Sequence, residues 1–141
     1  MSPLPKKNLA VVACMDCRLD VETILDLEHG DAHVIRNAGG VLTDDVRRSL
    51  LLSQRALGTR TIALIHHTDC GLQGVDEEAL FAEIEAEVGQ RPDFSLASFE
   101  DAADDVRQMK RSLIDDPIVP YTDDVRGYVF DVETHELVTV E

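Results

Sequence analysis

No stretch of the chain strings together the roughly 18 apolar residues that a membrane-spanning helix requires, so no such span is expected. Cysteine is scarce and odd in number, three in 141 residues. That argues against a disulfide framework and predicts a reducing, cytoplasmic setting. Positive charge is also in short supply: 13 Lys and Arg face 28 Asp and Glu, for a net charge of −15. Such a chain repels nucleic acid and anionic membrane surfaces, so neither is expected as a partner. The acids gather in "DEEALFAEIEAE" and "FEDAADDVRQ", which read as solvated helix faces rather than as a binding site. Repeats, low-complexity tracts and long linkers are absent, which predicts one domain over residues 1–141. The N-terminal "MSPLPKKNLAVVAC" places two lysines before a short apolar run but offers no small-residue cleavage site, so no signal peptide is expected.

What is present reads as alternating strands and helices. Leu9 to Cys14 is a short, partly β-branched apolar run, the signature of a buried parallel strand. Asp20 opens a brief helical pattern with Val21, Ile24 and Leu25 on one side, stopped by Gly30. "AHVIRN" (32–37) is a second strand, ending at the permissive pair Gly39-Gly40. Thr43 is the N-cap of a helix running to about Leu57. "TIALIHH" (61–67) is the strongest strand signal. Two helices follow, one over 76–88 with Leu80, Ile84 and Val88 four apart, the other from Ser98 to about Leu113. "RGYVFDVETHELVTVE" closes the chain as a hairpin. The fold expected is therefore α/β: a mostly parallel central sheet flanked by helices, with a C-terminal β-hairpin extending it.

In such sheets, ligands bind at the carboxyl ends of the strands. The three strands end at "CMDCR", "RNAGG" and "HHTDCG", so the three unusual segments converge on one sheet edge. His67-Thr68-Asp69-Cys70 is H-x-x-C, a spacing that lets an imidazole and a thiolate grip one tetrahedral metal. Cys14 adds a third soft ligand, and Zn²⁺ suits that set best. Extended backbone beyond Cys14 would send Cys14, Asp16 and Arg18 one way and Met15 and Cys17 the other. The zinc would then keep an open fourth position, as catalytic sites do. A knuckle at Cys14 would instead let Cys17 close a Cys₃His structural site, and both readings stand at this point. Arg18 favours the first, since a fork on the Asp16 carboxylate would hold it off the metal and leave it to orient a zinc-bound water.

"CMDCRLD", "HVIRNAGG" and "HHTDCG", in that order and at these intervals, resemble the beta-class carbonic anhydrases, in particular their small archaeal- and mycobacterial-like branch. The resemblance runs from Asn8 to Val140 and takes in the terminal hairpin. It implies a zinc enzyme that hydrates carbon dioxide reversibly to bicarbonate and a proton, with zinc-hydroxide as the nucleophile. It implies Cys14, His67 and Cys70 as the zinc ligands and Asp16 and Arg18 as a catalytic dyad beside the zinc-water. It also implies the Gly71 amide as a donor to a substrate oxygen, and a homodimer or a dimer-based oligomer.

Three features depart from the family pattern. Cys17 stands where Ser or Ala is usual. Only eight residues precede the first strand, so the helical arm that family members wrap around a partner is expected to be missing or cut short. The glutamine and aromatic pocket residues of the plant-like branch have no counterpart. Hydrolysis of carbonyl sulfide or carbon disulfide on the same scaffold is the rival enzyme activity, and a closed, non-catalytic Cys₃His module is the rival from another class. A thiol-redox reading of Cys14-x-x-Cys17 leaves His67 and Cys70 unexplained. His66 reads as a core residue or one behind the ligands, more readily than as a proton shuttle; Asp69 reads as a turn cap, ahead of orienting His67; and Arg36 and Asn37 read as fasteners of the Gly39-Gly40 loop. His29, His33 and His135 are indistinguishable from surface positions.

Overall fold

The structure is a computed structural model describing residues 1–141. Its centre is a five-stranded sheet in the order β2-β1-β3-β4-β5. The strands are β1 (Leu9–Cys14), β2 (Ala32–Asn37), β3 (Thr61–His67), β4 (Asp124–Phe130) and β5 (Leu137–Val140). The first four run parallel and β5 returns antiparallel to β4, which is the expected α/β architecture with its terminal hairpin. Every residue of β1 is buried, as is all of β3 after Thr61, so both faces of the central pair are covered. Each fully buried Val, Ile or Leu there contributes about 1.5–3 kcal/mol over its exposed state.

Helices α2 (Asp44–Arg55) and α4 (Ala102–Ile114) cover one sheet face. Val46, Leu50, Val106, Met109 and Leu113 pack there on Ala10, Val12, Ile62 and Leu64. The other face carries Leu9, Val11, Ala13, Ala63 and Ile65 under loops and the four-residue helix α1 (Val21–Ile24). The caps follow the sequence: Asp20, Thr43, Asp76 and Asp101 each accept from a backbone amide in the first turn of their helix. None of the helices is long and apolar enough to cross a membrane.

Three expectations need correction. The helix after Asp20 ends at Ile24, well short of Gly30. In α3 (Glu77–Val88) the buried residue is Phe81, while Leu80 and Val88 are exposed. The four-residue spacing of apolar side chains marked the wrong stripe because an aromatic one step away fills the contact better. The last helix starts at Ala102, capped by Asp101, whereas Ser98 and Phe99 lie in a loop that bridges to Gln73.

One glycine bears directly on the site. Gly40 has φ +64°, and a Cβ there would stand 2.8 Å from the Ala13 carbonyl carbon and the Cys14 nitrogen. Only a residue without a side chain lets the β2 loop lie against the end of β1.

Candidate metal centre

β1 and β3 lie side by side and in parallel, so their carboxyl ends deliver Cys14 and His67 to the same sheet edge. The turn after β3 brings Cys70 back to them. The sulfur atoms of Cys14 and Cys70 and a ring nitrogen of His67 lie within 4.8 Å of one another, and all three residues are buried. A tetrahedral zinc bonded at about 2.0–2.3 Å sets its ligand atoms roughly 3.5–3.8 Å apart, so the cluster needs little movement to close on an ion.

The state of His67 makes the fit specific. Its Nδ1 donates to the Thr68 carbonyl at 2.7 Å, which fixes the proton on that nitrogen. Nε2 is therefore a bare lone pair, buried and without a hydrogen-bond partner. Burial also holds the imidazolium pKa below its ordinary value, so the ring stays neutral, as a ligand must. Burial pushes the Cys70 thiol the other way, upward, with the Leu72 and Gln73 amides and neighbouring Cys14 also acting on it. An orphaned imidazole nitrogen beside two buried thiols is a donor set that suits zinc.

The chain does leave extended geometry at Cys14, but it does not bring Cys17 inward. The Leu19 amide donates to the Asp16 carbonyl and the Arg18 amide to Asp16 Oδ1, closing a tight turn with Cys17 exposed at its tip. Cys17 takes no part in the cluster, so the residues that could hold a metal number three. Asp16 and Arg18 do form a fork: Nε donates to Oδ1 at 3.0 Å and Nη2 to Oδ2 at 2.7 Å. These bonds, with the Arg18 amide, hold the Asp16 carboxyl well below the usual carboxylate range, and its partner raises the Arg18 guanidinium in turn. Asp16 Oδ2 stops 3.8 Å from His67 Nε2, close to the cluster but outside it. Gly71 is exposed beside Cys70, and its amide has no acceptor within the protein.

Two contacts were not foreseen. Asp69 is no turn cap; its carboxylate accepts from Arg18 Nη1 at 3.0 Å and its carbonyl from Nη2 at 2.9 Å. Arg36 does not fasten the glycine loop, a task Asn37 performs alone through Val41. Its guanidinium binds the carbonyls of Cys14 and Asp16, at 2.9 and 2.7 Å. An arginine at the carboxyl end of a strand that points at the site was the available signal. His66 is the core residue expected, fully buried, stacked on Phe99 at 4.6 Å and bonded to Asp105 at 2.7 Å. His33 is no bare surface position either: it links Ser53 to the Pro3 carbonyl.

Residues 9–115 match the family model described as carbonic anhydrase. The chain is also 52% identical over 133 residues to the beta-carbonic anhydrase 1 of Mycobacterium tuberculosis, covering 94% of this chain and 82% of that one. The chain belongs to the beta-class carbonic anhydrases. The fold of this carbonic anhydrase agrees: a crystal structure of the Streptococcus mutans carbonic anhydrase superposes with a TM-score of 0.93 at 37% identity, over 100% of this chain and 86% of that one. A protein named carbon disulfide hydrolase, from Saccharolobus solfataricus, is 32% identical over 155 residues, covering 93% of this chain and 76% of its own. Beta-class carbonic anhydrases use zinc, and the Cys14-His67-Cys70 cluster of this one fits that metal.

Proposed function

We propose that this carbonic anhydrase hydrates carbon dioxide reversibly to bicarbonate and a proton, with Cys14, His67 and Cys70 holding zinc and Asp16 and Arg18 acting beside it. The observation that carries the reading is the unpartnered Nε2 of His67, buried with the two thiols at the end of β3. Zinc bound there supplies a Lewis acid that makes a water acidic enough to serve as nucleophile. Asp16 is ionised across the neutral range, its carboxyl held below the ordinary carboxylate range by Arg18, and its Oδ2 is the acceptor that orients that water. Arg18 keeps the carboxylate from taking the ligand position itself. The Gly71 amide, free of any protein acceptor, donates to the substrate oxygen on which charge develops. The exposed position of Cys17 supports an open rather than a closed site.

The 141 residues act as one domain, since both apolar clusters share one sheet. The thiols that serve as ligands fit a reducing cytoplasm. The functional form is a homodimer. Parallel sheets bury both faces, yet a hollow of about 430 Å³ lies on the less covered one, over Leu9, Leu25, Ala63 and Tyr128.

A second reading, hydrolysis of carbon disulfide or carbonyl sulfide, is favoured by the likeness to the Saccharolobus protein. One zinc-loaded preparation offered carbon dioxide, carbonyl sulfide and carbon disulfide separates the two. Rapid hydration of carbon dioxide with slow or no release of sulfide is expected. Sulfide release without hydration would give the second reading precedence.

A further inference from the structure

We propose that Asp69 is a positioning residue for the reaction: by anchoring Arg18 from the opposite loop, it keeps the Asp16 carboxylate off the metal and turned toward the water. This rests on the roles given above to Asp16 and the three ligands. Asp16 and Arg18 sit on the same short turn, so the bonds between them cannot by themselves fix where the pair stands relative to His67 and Cys70. Asp69 supplies that reference. It lies between those two ligands and takes Arg18 twice, with its carboxylate at 3.0 Å and its carbonyl at 2.9 Å.

The rest of the turn is already fixed, because Arg36 holds the carbonyls of Cys14 and Asp16. The Arg18 amide also holds Asp16 Oδ1, so what remains free is Asp16 Oδ2 and the long Arg18 side chain, which is 42% exposed. Asp69 removes that freedom. Its own backbone is left-handed, at φ +54°, a conformation that Asp and Asn accept more readily than other residues with a side chain. Without the anchor, Arg18 can swing toward solvent with Asp16 following or parting from it. A carboxylate is itself a good zinc ligand, and Asp16 Oδ2 is only 3.8 Å from His67 Nε2. A released Asp16 therefore competes with water for the open position.

The test replaces zinc by cobalt(II), whose visible spectrum reports its ligands, in Asp69→Asn. Asparagine keeps the size and the tolerance for left-handed backbone but loses the charge. The spectrum should shift as a carboxylate oxygen enters the coordination sphere, with one metal still bound per chain. In the zinc form kcat should fall about two- to fivefold, the scale of an ion pair whose carboxylate is 82% exposed, while KM changes little. Arg18→Lys, which has no fork, should give the same spectral shift, and adding Asp69→Asn to it should cost nothing further. An unchanged spectrum, additive losses in the double variant, or loss of metal from Asp69→Asn would each overturn the proposal. The spectrum needs no substrate, so the two readings fail separately. A cobalt shift in a protein inactive on carbon dioxide would sink the proposed reaction but not the anchor, and hydration with no shift would sink the anchor alone.

Discussion

Asp16 keeps its charge because three donors of Arg18 converge on it: the backbone amide, Nε and Nη2. Asp16→Asn preserves the shape and removes the charge that, in the proposed reaction, accepts from the water. Stopped-flow hydration should then fall about a hundredfold, the scale of a lost proton acceptor, with zinc content unchanged. Normal turnover in that variant would contradict the role. The C-x-D-x-R spacing made this group visible in the sequence, although for a reason the structure revises. Of the two readings open in the sequence, extended backbone would separate Asp16 and Arg18 from Cys17 and a knuckle would not, whereas a turn built on Asp16 itself does so. Asp69 and Arg36 were misread because their partners lie 51 and 20–22 residues away, beyond what local spacing can show.

Strands whose neighbours bury them on both sides announce themselves, and β1 and β3 have the limits that their apolar runs predict. Helices that pack flat on the sheet do so as well: the Val106, Met109 and Leu113 stripe of α4 is buried as its period requires. Legibility fails in α3, where five glutamates leave only a narrow contact and a single aromatic decides which side faces inward. At the start of β4, Asp124 accepts from Arg126 Nε and Nη2 and from the Thr61 hydroxyl, tying β4 to the first residue of β3. Arg126 lowers the Asp124 carboxyl below its ordinary value of 3.8. A folded-state value below the unfolded one means that the pair adds stability above about pH 4, and that this contribution is lost as the pH falls through the folded value. Urea midpoints should therefore drop below about pH 4, and Asp124→Asn should lose part of that drop; an identical pH profile in the variant would rule the pair out as its source.

The two faces of the sheet are unequally dressed, with α2 and α4 on one and short α1 and loops on the other. The proposed dimer would seat a second copy over the hollow on the thin side, and light scattering should then return twice the chain mass at assay concentrations; a single-chain mass would refute the dimer. A net charge of −15 acts against any such association at low salt, so the measurement belongs near physiological ionic strength. The five glutamates of α3 carry a large share of that charge with no base among them, while the chemistry is confined to one end of the sheet. Removing the metal should leave the fold and abolish the reaction. The most direct test is to strip the protein of metal and return zinc in steps, following carbon dioxide hydration from about pH 6.5 to 9, the range around ionisation of a zinc-bound water. Hydration should be absent at first, rise in proportion to zinc, and level off at one ion per chain, with rates increasing with pH. A protein that binds a full equivalent of zinc at Cys14, His67 and Cys70 yet hydrates no carbon dioxide at any pH, or one that is equally active without metal, would contradict the central claim.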